Sequence, residues 1–138
     1  MTDVTQLIEH DHREVEGLFT QFKSDHSKGT ALKICDELDA HADAEEKVFY
    51  PAVRADVPDG KQLADEGKDE HGEARQLIGR IKNTDDSDHL VELVEQLEQA
   101  INHHVSEEES EMLPKARQTF DADRLDRLGN DFEAAKPK

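Results

Sequence analysis

The chain has 138 residues, with 34 acidic against 17 basic side chains and a formal charge of −17 at pH 7. That length supports one core, large enough to bury a site and too small for a second enzyme domain. The charge repels phosphate backbones and anionic lipid heads alike, so neither nucleic acid nor a membrane is an expected partner, and it reads first as a well-solvated surface.

Trp is absent and aromatics make up 4% of the residues, while helix formers are plentiful, which predicts an all-α fold. Turn formers cluster at 24–29, 56–60 and 83–87, leaving four segments, 3–23, 31–54, 61–82 and 88–113, with apolar side chains at three-four spacing. In the first, these are Ile8, Val15, Leu18, Phe19 and Phe22. Thr30 and Asp88 are candidate N-caps, and Pro51 and Pro114 should kink or end the second and fourth helices. The lone Cys35 lies beside Ile34 and Leu38 as a small buried hydrophobe and cannot form an internal disulfide, which points to a reducing compartment. No stretch has the length and hydropathy of a membrane span, and no basic segment followed by an apolar run opens the chain, so a cytoplasmic protein is expected. Residues 121–134, with Leu125, Leu128 and Phe132, predict a short closing helix. Long helices joined by short loops pack most simply as an antiparallel up-down-up-down four-helix bundle over 1–118, with 119–138 a short C-terminal helix and tail packed on it.

The two halves repeat. Asp11-His12-Arg13-Glu14 matches Glu70-His71-Gly72-Glu73, and Leu38, His41, Glu45, Glu46 and Pro51 match Ile101, His104, Glu108, Glu109 and Pro114 at one constant offset. A His-x-x-x-Glu pair alone is weak in a chain this rich in Glu, and His10, His12 and His103 also have a glutamate four residues on. Helical phase discriminates. At about 100° per residue, Glu108 falls near the centre of the face made by Leu90, Val94, Leu97, Ile101 and Val105, with His104 about 50° to one side. Glu45 and His41 stand likewise among Ile34, Leu38, Ala42 and Phe49, whereas His103 and Glu107 point to solvent. His12 and His71 lie about 80° from their face centres, close enough to turn inward, and Asp11 and Glu70 beside them lie nearer those centres. His10 points outward, and His26 and His89 fall in or beside loops.

Burying one unpartnered glutamate costs several kcal/mol, so two in one small core, each a turn from a histidine, call for a shared cation rather than a hydrogen-bonded His–Glu network. Imidazole with carboxylate suits iron, manganese or zinc. Two six-coordinate ions held by two bridging glutamates, four histidines and a shared oxide or hydroxide keep about two positions open for small molecules.

With these residues in view, the sequence resembles the hemerythrin-like, or HHE cation-binding, domain family, whose pattern reads His, His-x-x-x-Glu, His, His-x-x-x-Glu along four helices. The match spans residues 1 to about 118. It implies an antiparallel bundle around a non-haem di-iron centre, with His12, His41, Glu45, His71, His104 and Glu108 as iron ligands and the two glutamates bridging. Two departures matter. Oxygen-carrying hemerythrins have a further histidine one turn after the third-helix ligand, where this chain has Arg75. They also typically place an Asp five residues after the fourth-helix histidine, whereas here Glu108 follows at four and Glu109 takes the alternative place. Losing one imidazole frees a position for water, peroxide or nitric oxide, or for a protein oxygen from Tyr50, Asp11 or Glu70, packing being the first reading for Tyr50.

The resemblance therefore implies a di-iron protein that reacts with dioxygen or peroxide under oxidative or nitrosative stress, with catalase- or peroxidase-like turnover left open. Its alternative is a protein that binds or senses oxygen, nitric oxide or iron without turnover. The residues leave the oligomeric state open between monomer and homodimer.

Overall fold

The structure, a computed structural model, describes residues 2–136 and is an all-α helical bundle, with no strand among the described residues. Helix α1 spans Val4–Asp25 and α2 spans Lys28–Ala44, which runs through a π-helical segment, Glu45–Phe49, into α3, Tyr50–Asp56. After a turn come α4, Gly60–Asn83, and α5, Ser87–Glu107, which passes through a second π-helical segment, Glu108–Met112, into α6, Leu113–Thr119. The last helix, α7, is Ala122–Ala135; the end of the tail expected at 119–138 lies outside the described residues.

Two predicted caps are corrected. Ser27, not Thr30, caps α2, its hydroxyl accepting from the Thr30 N–H, while Thr30 Oγ1 donates to Asp25 at 2.8 Å. Asp86, not Asp88, caps α5 by accepting from the Asp88 N–H. In both cases the side chain two or three residues upstream reaches the free amides first, and the helix starts within the predicted break. The prolines do not end their helices. Pro51 and Pro114 lack an N–H and crowd the carbonyl four residues back, so the helix widens just before each of them. The Tyr50 N–H donates to the Glu45 carbonyl and the Leu113 N–H to that of Glu108, both five residues back.

The apolar core is divided. One cluster gathers Val15, Phe19, Phe22, Ile34, Ile78 and Leu97 with their neighbours; the other gathers Val4, Ile8, Phe49, Val53, Leu113 and Phe132. The buried polar residues His12, His41, Glu45, His71, His104 and Glu108 belong to neither. Helix α7 packs on α1, α2 and the first π segment, burying Leu125, Leu128 and Phe132 in the second cluster. The start of the chain is tied to it, the Thr2 N–H donating to Asp126 at 2.7 Å. Gly129 makes that approach possible, since a Cβ there would lie 1.4 Å from the Thr2 carbonyl oxygen.

Candidate metal centre

Six polar side chains converge from every long element: His12 from α1, His41 from α2, His71 from α4, His104 from α5, and Glu45 and Glu108 from the first residue of each π segment. All six are buried, Glu45 completely. Donor atoms of His12, His41 and Glu108 lie within 4.8 Å of one another, as do those of Glu45, His71 and His104. Each carboxylate also stands between the halves of the repeat. Glu45 Oε1 is 3.0 Å from His41 Nε2 and 3.2 Å from His71 Nε2. Glu108 presents Oε1 to His12 Nε2 at 3.1 Å and Oε2 to His104 Nε2 at 3.3 Å. Yet His12 Nε2, His41 Nε2, Glu45 Oε2 and Glu108 Oε1 have no hydrogen-bond partner despite full burial. Buried donors and acceptors are normally satisfied, and four inward-facing imidazole and carboxylate atoms without partners are a set that fits a cation.

Behind each histidine stands a carboxylate from another helix. Asp11 holds His41 Nδ1 at 2.7 Å, Glu46 holds His71 Nδ1 at 2.8 Å, Glu70 holds His104 Nδ1 at 2.7 Å and Glu109 holds His12 Nδ1 at 2.7 Å. An ionised carboxylate can only accept, so each Nδ1–H donates and Nε2 is turned inward. Asp11 and Glu70, raised above as possible extra ligands, are thus occupied with orienting imidazoles, as is Glu109. Arg75 serves the same purpose. Its guanidinium meets Glu46 at 2.8 Å and Asp43 at 3.0 Å, matching the Arg13–Glu109 pair in the other half, while Lys136 pairs with Asp11.

The field of these carboxylates dominates protonation. Burial disfavours charge on His41, but Glu45 and Asp11 outweigh it and push the imidazole up to about 10. Burial likewise opposes charge on His12 and His104, and their carboxylate neighbours, Glu108 first, raise both. Burial works against ionised Glu45 as well, yet His41, His104 and His71 hold it well below the usual carboxylate range. Cys35 is buried away from this centre, and desolvation pushes its thiol up to about 11, which fits a packing residue rather than a nucleophile.

Tyr50 belongs to the site, which corrects the packing role first assigned to it. Its hydroxyl donates to Glu108 Oε2 at 2.8 Å and lies 3.4 Å from His71 Nε2 and 3.5 Å from His104 Nε2, its ring stacked on His71. Burial and then the negative charge of Glu108 and Glu45 raise its phenol well above the ordinary value. Gly67 makes the room, because a Cβ there would sit 2.6 Å from the Tyr50 hydroxyl. The signal for Tyr50 was its distance from Glu45, five residues, which a π turn brings round to one face. Phe132 of α7, edge-on to His41 with ring centroids 5.8 Å apart, was also missed as a wall of the site.

Two cavities touch the centre. One of about 30 Å³ lies among Val15, Leu38, Ala42, Ala74, Ile78 and Ile101, with Asp11, Glu37, Asp39 and Arg75 also on its lining, and reaches all four histidines. The other, about 20 Å³, reaches His104 and Glu108 between Glu66, Glu70, Glu107 and Glu111.

An all-α bundle with paired His/Glu clusters at its buried polar layer defines a metal-binding helical protein. The chain belongs to the hemerythrin family: the Hemerythrin HHE cation binding domain matches it over residues 3–116. A curated relative, a protein of Nostoc sp. named DNA nickase, is 30% identical over 141 residues, covering 99% of this chain and 40% of the relative. The chain thus spans about two fifths of that protein's length. No solved structure matches the chain. The family and the two His/Glu groups indicate metal binding, with iron the metal that the family suggests and the donor set accommodates.

Proposed function

We propose that His12, His41, Glu45, His71, His104 and Glu108 ligate two iron ions with a shared oxide or hydroxide, Glu45 and Glu108 bridging, and that the protein reacts with dioxygen or peroxide in oxidative or nitrosative stress. The observation that carries this reading is the set of buried, unpartnered atoms on His12, His41, Glu45 and Glu108. Iron, when bound, supplies the redox chemistry; the chain supplies position, exclusion and protons. The four outer carboxylates fix the imidazoles, and Arg13, Arg75 and Lys136 anchor three of those carboxylates. The mainly apolar cavity suits small neutral molecules. Tyr50 holds an O–H against Glu108 and is the protein oxygen best placed to take the position that a fifth histidine would fill.

We place the domain at 1–118 with α7 as part of its site wall, and the protein in the cytoplasm, for which the buried free thiol of Cys35 speaks. Nucleic acid is not part of this reading. The charge of −17 opposes a phosphate backbone, and most of the Nostoc DNA nickase lies outside the matched region.

A reversible binder of oxygen or nitric oxide is the second reading, favoured by the same apolar cavity. Peroxide added to the iron-loaded protein separates the two. Repeated oxygen release or donor oxidation, many turnovers per chain, is expected for the proposed enzyme; a reversible spectral change without turnover would assign the protein to binding or sensing.

A further inference from the structure

The outer ring of carboxylates is broken at one place. Glu46, Glu109 and Asp11 are each neutralised by Arg75, Arg13 or Lys136. Glu70, the fourth, meets no Arg or Lys among the described residues; its Oε2 faces His103 Nε2 at 3.5 Å, and its carboxylate lies against that of Glu107. His103 Nε2 is also 3.0 Å from Glu107, and donor atoms of Glu70, His103 and Glu107 all lie within 4.8 Å of one another.

The repeat shows that this face differs from its counterpart. At the constant offsets within the repeat, Glu66, His103, Glu107 and Glu111 correspond to Leu7, Ala40, Ala44 and Val48. Leu7, Ala44 and Val48 pack in the apolar cluster that α7 closes. Among the described residues no helix covers the acidic set in the same way, and the cavity of about 20 Å³ opens among Glu66, Glu70, Glu107 and Glu111. At its inner end stand Glu108, whose side chain is 1% exposed, and the buried His104, both members of the central set. The cavity therefore runs from Glu70 and Glu107, the carboxylates of the surface cluster, to a buried carboxylate and imidazole of the centre. The other cavity has Asp11, Glu37, Asp39 and Arg75 among its lining residues, but the rest of its wall towards the histidines is aliphatic, Val15, Leu38, Ala42, Ala74, Ile78 and Ile101, a poorer path for a hydrated dication than one lined by four glutamates.

We propose that this acidic cavity is the port by which divalent metal ions reach the buried centre, with Glu70, His103 and Glu107 forming a weak transit site at its mouth. The proposal rests on the dinuclear reading of the centre. Oxygen-rich ligands with one imidazole suit a labile divalent ion, and a partly exposed site binds more weakly than the enclosed one, as transit requires. The two cavities then divide the traffic, ions through the acidic one and small neutral molecules through the apolar one.

Titration of the metal-stripped full chain with Co²⁺ should reveal two tight equivalents and a third, weaker one. Glu107→Gln and His103→Ala should lose the third and keep the two tight ones. Anaerobic stopped-flow mixing with Fe²⁺ should show loading slowed about tenfold in the Glu66→Gln/Glu107→Gln double variant, the scale on which local charge steers association. Glu92→Gln, a single acid removed about 20 Å away along α5, should load within twofold of the parent. A third equivalent that persists in both single variants, or a double variant that loads as fast as Glu92→Gln, overturns the port while leaving the centre standing. Absence of the two tight equivalents in the parent chain overturns the centre, and the port with it.

Discussion

Glu108→Ala should leave no more than one tightly held metal ion per chain and destabilise the fold by about 3–5 kcal/mol, the usual cost of removing one partner from a buried charged cluster. Glu108 sits between His12 and His104 and receives the Tyr50 hydroxyl, so the truncation takes the shared carboxylate away from two buried imidazole Nε2 atoms and a buried phenol. Metal analysis after dialysis against a weak chelator and a denaturant titration read the two effects separately. Glu107→Ala, one residue earlier and on the solvent side, should keep its equilibrium metal content. Parent-like metal content in Glu108→Ala would remove this carboxylate from the ligand set.

The second large effect concerns pH, and its sign differs between the stripped and loaded protein. In the stripped protein His41 is raised to about 10, with His12 and His104 raised as well, so their pairing with the glutamates stabilises the fold fully below the unfolded histidine pKa of about 6.5. That contribution is lost as pH rises from about 6.5 toward 10, at up to about 1.4 kcal/mol per pH unit for each proton released. The lowered carboxyls of Glu45, Asp11 and Glu109 act oppositely, their contribution present above about pH 4.5 and lost on acidification. Stripped protein should thus be most stable between about pH 5 and 6.5. Metal binding requires the same Nε2 atoms without protons, so loading expels protons and tightens as pH rises. Denaturant midpoints at pH 6 and pH 9 should fall for the stripped form while the gap to the loaded form widens. A stripped midpoint that rises over that interval would show that the histidines are not the counter-charges of Glu45 and Glu108.

The bundle was legible because burial imposes a period. Val15, Phe19 and Phe22, or Leu97, Ile101 and Val105, recur at helical spacing, and His41, Glu45, His104 and Glu108 share that phase, whereas His12 and His71, about 80° off it, are marked by the repeat and the family resemblance. Phase arithmetic failed where the helix stopped being α-helical. The π turns that Pro51 and Pro114 induce shift every later residue, which is why Tyr50 was first assigned to packing although it touches Glu108. The outer carboxylates were visible as neighbours or repeat partners of the histidines, but which imidazole each one holds depends on crossings between helices. Glu46 reaching His71 and Glu109 reaching His12 are long-range pairings of this kind. The same holds for Phe132 and Lys136, which come to the site only because α7 folds back over it. Gly67 has no side chain to leave a pattern, and its importance is the space that it yields to Tyr50.

Anomalous scattering at the iron edge from crystals of the iron-loaded full chain tests the dinuclear centre most directly. Two iron peaks should appear in the buried polar layer, one bonded to His12, His41 and Glu108 and the other to Glu45, His71 and His104, with the glutamates shared. A single peak, or iron found only at the surface with the bundle interior empty, would contradict it.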